Sequence, residues 1–152
     1  MPERWDASWS SEKMDWETPP ALFQSLDDEF HFTIDAAANG GNTKCPTYYG
    51  PVSDEGEDGL SAAWSGIVWC NPPYGTDISS WIKKGRDSAL AGATVVMLVY
   101  ARTDTRWFHD YVYGQAEIRF LRGRIRFVGA PNSAPAPSMI LIYRPPVGRP
   151  QE

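Results

Sequence analysis

The sequence predicts an α/β fold: a mostly parallel sheet with an antiparallel edge, covered by helices on both faces. Short apolar runs typical of strands alternate along the 152 residues with segments of helical periodicity. Most of these runs are apolar throughout, as is typical of strands buried on both faces of a sheet. No helical segment separates the last runs, so we expect an antiparallel pairing there.

The first half of the chain contains one predicted helix and two predicted strands. In order, we expect a helix from Pro19 or Pro20 to about Asp28, a short strand His31–Ile34 ending at Asp35, and a buried strand Ile67–Cys70. Between the two strands, residues 36–65 are rich in Gly, Asn, Ser and acidic residues. This stretch has no strong periodicity, which indicates loops.

The second half alternates in the same way and then ends in strands. In order, we expect a helix Ser79–Leu90, a strongly apolar strand Thr94–Tyr100, a short helix Thr105–Val112, and strands at Glu117–Leu121, Arg124–Val128 and Met139–Tyr143. The turn at Arg122 and Gly123 predicts a hairpin that joins Arg124–Val128 to the preceding strand or to its neighbour. The whole forms one domain, with a loose arm at residues 1–13, a core at 14–145 and a tail at 146–152.

Composition excludes several classes of protein. The chain is 42% hydrophobic and 22% charged, as ordinary globular proteins are. Its two cysteines, Cys45 and Cys70, match no metal-ligand spacing, and Cys70 lies in an apolar strand pattern that indicates a buried thiol. The longest apolar run, residues 91–101, is too short to span a bilayer, and the acidic N-terminus lacks a signal-peptide core. We expect a cytoplasmic protein without a metal or a membrane partner.

Charge is distributed unevenly along the chain. The net charge is −5, but residues 1–60 hold 3 basic and 13 acidic side chains, whereas residues 61–152 hold 11 basic and 6 acidic ones. Such asymmetry is compatible with a basic face on an acidic body, or with ordinary surface variation.

The segment Asn71-Pro72-Pro73-Tyr74 is the strongest functional signal. It follows a predicted buried strand and precedes a helix, which places it at the carboxyl edge of the sheet, where α/β proteins bind ligands. The Asn71 side-chain carbonyl and the Pro72 backbone carbonyl are two acceptors, held rigidly because each precedes a proline. Aimed at the two N–H groups of adenine N6, they would draw the nitrogen lone pair toward an electrophilic methyl group. Tyr74 offers a flat face for an extruded base; the alternative is a Pro-Pro turn with Tyr74 in the core.

From Trp16 to Tyr143 the chain resembles the small phage-encoded DNA N6-adenine methyltransferases, the phage Dam-like family. Asn71-Pro72-Pro73-Tyr74 is similar to the catalytic motif of methyltransferases that act on amino groups, and the order of the other motifs agrees. The resemblance extends to residues 101–105 and 123–127. It implies an abbreviated Rossmann-like methyltransferase sheet, the cofactor S-adenosyl-L-methionine, double-stranded DNA as partner, and a bacterial host cell with a phage or prophage origin.

The resemblance also implies cofactor-binding residues. Glu17-Thr18-Pro19-Pro20 is similar to an N-terminal element that wraps the methionine end of the cofactor, and Asp35-Ala36-Ala37 is similar to an acidic strand end followed by small residues. Asp58 lies where an acidic residue approaches the cofactor's adenine. Each has a simpler alternative: Thr18 as a helix N-cap, Asp35 as a turn former, and Asp58 as one of several equivalent acids.

The chain departs from a full methyltransferase in one respect. Only 23 positions separate Asp35 from Asp58, too few for the usual strands and helices between those motifs. The shortening leaves open how the cofactor ribose is held. It predicts a modest cofactor affinity or support from a homodimer.

Arginines cluster around the predicted hairpin. Arg122, Arg124 and Arg126 lie where side chains can reach phosphates or guanine edges, with Arg119 on the preceding strand. The alternative is an edge strand protected by charge. Arg102 and Asp104 follow the third strand at the same sheet edge as Asn71, so we expect them near an extruded nucleotide; the alternative is that they pair with each other.

Three functions are compatible with these patterns. The first is transfer of a methyl group to N6 of adenine in DNA, with the base flipped into the Asn71 site. The second keeps the cofactor but takes RNA or a protein glutamine as substrate, which the acidic balance favours. The third is a non-catalytic DNA-binding module derived from a methyltransferase, which the short cofactor region favours.

Overall fold

A five-stranded open sheet forms the centre of the molecule. The computed structural model describes residues 17–37, 44–45, 47–48, 59–73, 75 and 77–147. The strands are β1 (Ile34–Asp35), β2 (Ile67–Cys70), β3 (Thr94–Tyr100), β4 (Glu117–Phe120) and β5 (Ser138–Tyr143), in the spatial order β1-β2-β3-β5-β4. The first three are parallel, and β5 is antiparallel to both of its neighbours. Strand β4 therefore points the same way as β1 to β3.

The predicted α/β fold with an antiparallel edge is confirmed. The reversed strand β5 is buried along its whole length, because it lies between β3 and β4. Strand β4 is the outer strand on that side and is only half-buried. The sheet is open, mixed and consistent with a Rossmann-like fold.

Helices cover both faces of the sheet, as predicted. Helix α1 (Pro20–Phe30) packs Phe23 and Leu26 onto one face, and helix α2 (Ile78–Leu90) packs Trp81 and Ile82 onto the other. The residues of β3 alternate between the two cores, since successive strand side chains point to opposite faces. The predicted helix near Thr105 is present in part, as a short π-helical segment, Phe108–Val112, on the α2 face.

Helix α1 ends at a left-handed C-cap residue, His31. His31 adopts a left-handed conformation (φ 61°), and its N–H donates to the Asp27 carbonyl. The Asp27 carboxylate then accepts the N–H of Phe32 at 2.9 Å. These bonds end the helix and lead the chain into β1, which begins three residues after His31.

The predicted hairpin at Arg122 and Gly123 is wrong. Strand β4 pairs with β5, and residues 124–127 form no strand. Four consecutive apolar residues, Met139–Ile142, suit β5 to the buried position between β3 and β4. Residues 121–137, here called the arginine loop, fold back on themselves instead, with the Ala134 N–H donating to the Ile125 carbonyl at 2.7 Å.

Replacing Gly59 with alanine should destabilise the fold. A β-carbon at Gly59 would lie 2.2 Å from the Ala36 carbonyl oxygen and 2.8 Å from the Trp81 ring. Because moving the backbone to relieve this contact is energetically costly, we expect a loss of about 1–3 kcal/mol of unfolding free energy, measured by urea denaturation. The exposed Ser65→Ala should change it by less than about 0.5 kcal/mol. Equal stability of both variants would contradict the close approach.

Candidate active site

Asn71 lies directly after β2, at the carboxyl edge of the sheet. Its side chain is buried, and its Nδ2 donates to the Thr18 Oγ1 at 3.0 Å. Thr18 itself is 2% exposed. The bond joins residues 53 positions apart, so the fold brings two of the predicted site residues into contact.

Two prolines, Pro72 and Pro73, follow Asn71 and restrict the backbone conformation there. Pro72 is buried and Pro73 is half-buried. Because a proline restricts the residue before it to extended backbone, Asn71 continues the direction of β2 out of the sheet. Tyr74, the last residue of the predicted catalytic motif, lies outside the described residues.

Asp35 ends the neighbouring strand at the same edge. It pairs in register with Trp69, and the N–H of Ala36 donates to the Trp69 carbonyl at 2.9 Å. The Asp35 carboxylate is 3% exposed and accepts the N–H groups of Ala37 at 3.3 Å and of Lys44 at 2.8 Å. Burial raises the pKa of Asp35 to about 6, although these two N–H groups and the Lys44 charge act to lower it.

Lys44 connects Asp35 with the segment that carries Thr18, and the sequence did not predict this role. Its backbone N–H binds Asp35, and its Nζ forms an ion pair with the Glu17 carboxylate at 2.8 Å. Glu17 precedes Thr18, so a continuous chain of contacts runs from Asp35 to Asn71. Lys44 stands in a stretch without periodicity, where no sequence signal marks it.

Gly59 follows Asp58, the third predicted cofactor residue, and packs closely against the rest of the fold. Asp58 lies outside the described residues, but its neighbour Gly59 lies against the Ala36 carbonyl. The Gly59 carbonyl also accepts the Trp64 Nε1–H at 2.8 Å, which fixes this loop above α2. The chain on either side of the shortened region therefore meets beside Asp35.

The arginine loop lies at the same edge as Asn71 and touches the N-terminal segment. Strand β4 ends at this edge, and the Val128 N–H donates to the Glu17 carbonyl at 3.1 Å. Arg124 donates to the Pro135 carbonyl at 3.0 Å, and Arg126 donates to the Pro131 carbonyl at 3.2 Å. These two guanidinium groups thus shape the loop while remaining exposed.

The other arginines differ in what they contact. Arg119, on the outer strand β4, forms ion pairs with Glu29 of helix α1 and with Glu117 of its own strand. Arg122 is exposed and makes no hydrogen bond or ion pair within the part of the chain that the structure describes. Arg102 follows β3 at the carboxyl edge, with its guanidinium 5.7 Å from the Tyr100 ring centre.

Neither cysteine belongs to this chemistry. Both thiols are buried, and burial raises the pKa of Cys45 to about 12 and that of Cys70 well above its usual value. Among the described residues, no group of three or more His, Cys, Asp or Glu side chains could hold a metal ion. No helix in the described ranges is both long and apolar enough to cross a membrane.

A buried amide and a buried carboxylate thus end neighbouring parallel strands of an open, Rossmann-like sheet. They define an α/β protein with polar groups at the carboxyl edge of its sheet, the edge where such proteins bind ligands. Residues 7–150 match the family model of DNA N-6-adenine-methyltransferase (Dam), and the chain belongs to that family. It is 29% identical over 144 residues to the DNA N-6-adenine-methyltransferase of Haemophilus phage HP1 (strain HP1c1), an alignment that covers 89% of this chain and 81% of the phage protein. The family predicted from the sequence is confirmed.

The pKa of Asp35 makes the stability of the protein pH-dependent. Between about pH 4 and 6 the folded carboxyl keeps a proton that the unfolded chain has released, so this group's contribution falls as pH rises. Relative to Asp35→Asn, the wild-type protein should lose about 2–3 kcal/mol of unfolding free energy from pH 4 to 7, measured by urea denaturation.

Asp87 supplies a control of opposite sign. A hydrogen bond from Lys83 lowers the pKa of its carboxyl, so its contribution is lost as pH falls. Relative to Asp87→Asn, the wild-type protein should gain stability as pH rises. A pH-independent difference between the wild-type protein and Asp35→Asn would show that the Asp35 carboxyl is not desolvated.

Proposed function

We propose that this protein transfers a methyl group from S-adenosyl-L-methionine to N6 of adenine in DNA, with the base flipped out of the duplex. The observation that carries this proposal is the Asn71 amide, buried at a strand end with its Nδ2 bound to Thr18. That bond turns the amide nitrogen toward the protein and directs the carbonyl oxygen the other way. Membership of the DNA adenine methyltransferase family supports the substrate.

In this proposal Asn71 and Pro72 act on the target amine. The Asn71 side-chain oxygen and the Pro72 carbonyl accept the two N–H bonds of adenine N6, which concentrates electron density on the nitrogen. The bound cofactor would supply the methyl group and retain the electron pair of its broken carbon–sulfur bond, and one N6 proton would leave to water. Pro73 keeps the Pro72 carbonyl in place, and Tyr74 stacks on the flipped base.

The residues around Asp35 fit the cofactor. When bound, S-adenosyl-L-methionine supplies a methyl group made electrophilic by a positively charged sulfur. Asp35 offers a negative charge in a buried position, where it interacts strongly with a cation such as an ammonium group. Ala36 and Ala37 after it leave room at the strand end, and Thr18, Pro19 and Asp58 complete the cofactor-binding set. A carboxylate held at a cost in stability is typical of binding sites.

The arginine loop is the proposed DNA contact. It lies at the same edge as Asn71 and is tied to the Thr18 segment through Glu17 and Val128. Arg122 has its guanidinium exposed, whereas Arg124 and Arg126 combine a loop-shaping bond with exposed donors. Arg102 would approach the flipped nucleotide from the end of β3.

The direct test measures transfer of a labelled methyl group to double-stranded DNA, RNA and protein in parallel. Label in N6-methyladenine of DNA, identified by mass spectrometry of nucleosides, is the expected result. Transfer to RNA or protein alone would show that DNA is not the substrate. Cofactor binding without any transfer would favour a non-catalytic DNA-binding module.

Asn71→Ala should lower turnover on DNA by about 10²- to 10³-fold, the effect of removing one positioned polar group from a transition state. Cofactor affinity by calorimetry should stay within a few fold, because Asn71 contacts the target amine. Asn71→Asp should retain measurable turnover, since a carboxylate supplies the same acceptor. Turnover of Asn71→Ala above a tenth of wild type would contradict the assignment.

Arg122→Ala should weaken binding to DNA and reduce the dependence of log affinity on log salt by about one unit, because one phosphate contact is lost. If Arg122 reads a base instead, the cost of about 1–3 kcal/mol should appear at a single position of the site. Arg144→Ala is the matched control, since Arg144 follows β5 at the opposite edge of the sheet. If Arg122→Ala and Arg144→Ala bind DNA equally at every salt concentration, Arg122 does not contact the DNA.

A further inference from the structure

Thr18 makes a contact that neither N-capping nor cofactor binding explains. The N-cap of α1 is Pro19, and no side chain caps the helix. The alternative interpretation of Thr18 as an N-cap is therefore wrong. Its hydroxyl instead accepts a hydrogen bond from Asn71, across 53 positions of sequence.

We propose that Thr18 is a positioning residue, which holds the Asn71 amide in the one orientation that presents its carbonyl oxygen to the target amine. This inference rests on the proposed function. A primary amide has an acceptor on one side and a donor on the other, and the two differ little in shape. Turned by 180°, Asn71 would face the adenine amine with its own NH₂ group, which places two donors against each other.

Burial makes the orientation depend on Thr18. Asn71 is 9% exposed and Thr18 is 2% exposed, so water has little access to the bond between them. With the carbonyl turned to the substrate, the amide NH₂ needs an acceptor inside the protein, because an unsatisfied buried donor is costly. Thr18 Oγ1 is an acceptor for this NH₂ group, at 3.0 Å.

The Thr18 hydroxyl is itself held in place from both sides. Glu17 is fixed by a backbone bond from Val128 and by the ion pair with Lys44. Pro19 restricts the backbone of Thr18 to extended geometry. The acceptor for Asn71 therefore sits at a defined point, and the same contacts tie it to the Asp35 strand end.

The test compares Thr18→Val, which removes the hydroxyl at nearly constant shape, with Thr18→Ser, which keeps it. At saturating cofactor and DNA, Thr18→Val should lower kcat by about tenfold to a hundredfold, as expected for a lost buried hydrogen bond. Thr18→Ser should restore most of the loss. If Thr18→Val is unfolded at the assay temperature, Thr18→Ala takes its place.

Thr33→Val is the matched control for loss of a threonine hydroxyl. Thr33 bonds to the backbone of Ile67 at the opposite, amino edge of the sheet. It should lower the melting temperature and leave kcat unchanged. If Thr18→Val behaves in the same way, its role is structural only and the proposal is overturned. A raised KM for the cofactor with wild-type kcat would overturn it as well, in favour of cofactor binding.

A second readout needs no activity. The chain has four asparagines, so ¹⁵N-asparagine labelling gives four side-chain NH₂ signals, and Asn71→Asp identifies that of Asn71. The Asn71 signal should shift and exchange faster with solvent in Thr18→Val but not in Thr33→Val. An unmoved signal would overturn the positioning role. If the wild-type protein is inactive but the Asn71 signal still shifts in Thr18→Val, the proposed function is contradicted and the contact between Thr18 and Asn71 is not.

Discussion

Buried polar groups must find hydrogen-bond partners, and this requirement shapes the carboxyl edge of the sheet. Asp35, Asn71 and Thr18 are all nearly inaccessible to water. Asn71 and Thr18 bind each other across 53 positions, and Asp35 binds Lys44, whose side chain pairs with Glu17, so these contacts tie the segment before α1 to the ends of β1 and β2. The site and the tertiary structure at this edge are held by the same contacts, since Lys44 links Asp35 to the segment that carries Thr18.

The arrangement also explains how a short chain builds a site at this edge. Strand β1 has two residues, and a parallel bridge between Asp35 and Tyr48 extends the sheet beyond it. The two N–H groups that bind the Asp35 carboxylate come from Ala37 and Lys44, seven positions apart in the chain. The buried carboxylate thus binds backbone from two separate places in the sequence. Its raised pKa is the cost of that burial.

The arginines show why residue type alone does not assign a role. Arg119, Arg124 and Arg126 lie close together in sequence, yet the first pairs with Glu29 across the outer strand and the other two donate to carbonyls of the arginine loop. What separates them is the path of residues 121–137. Strand β5 occupies the inner side of β4, and this leaves residues 124–127 without a strand partner.

The sequence by itself determined the fold class, the order of the main elements and the family, because these depend on local periodicity and on motifs read residue by residue. It also identified Asn71 and Asp35 as strand-end residues. Only the tertiary structure decided that Thr18 binds Asn71, that Lys44 bridges Glu17 and Asp35, and that β5 displaces the predicted hairpin. Those contacts join residues far apart in the chain, and their geometry arises only when the strands pack and exclude water.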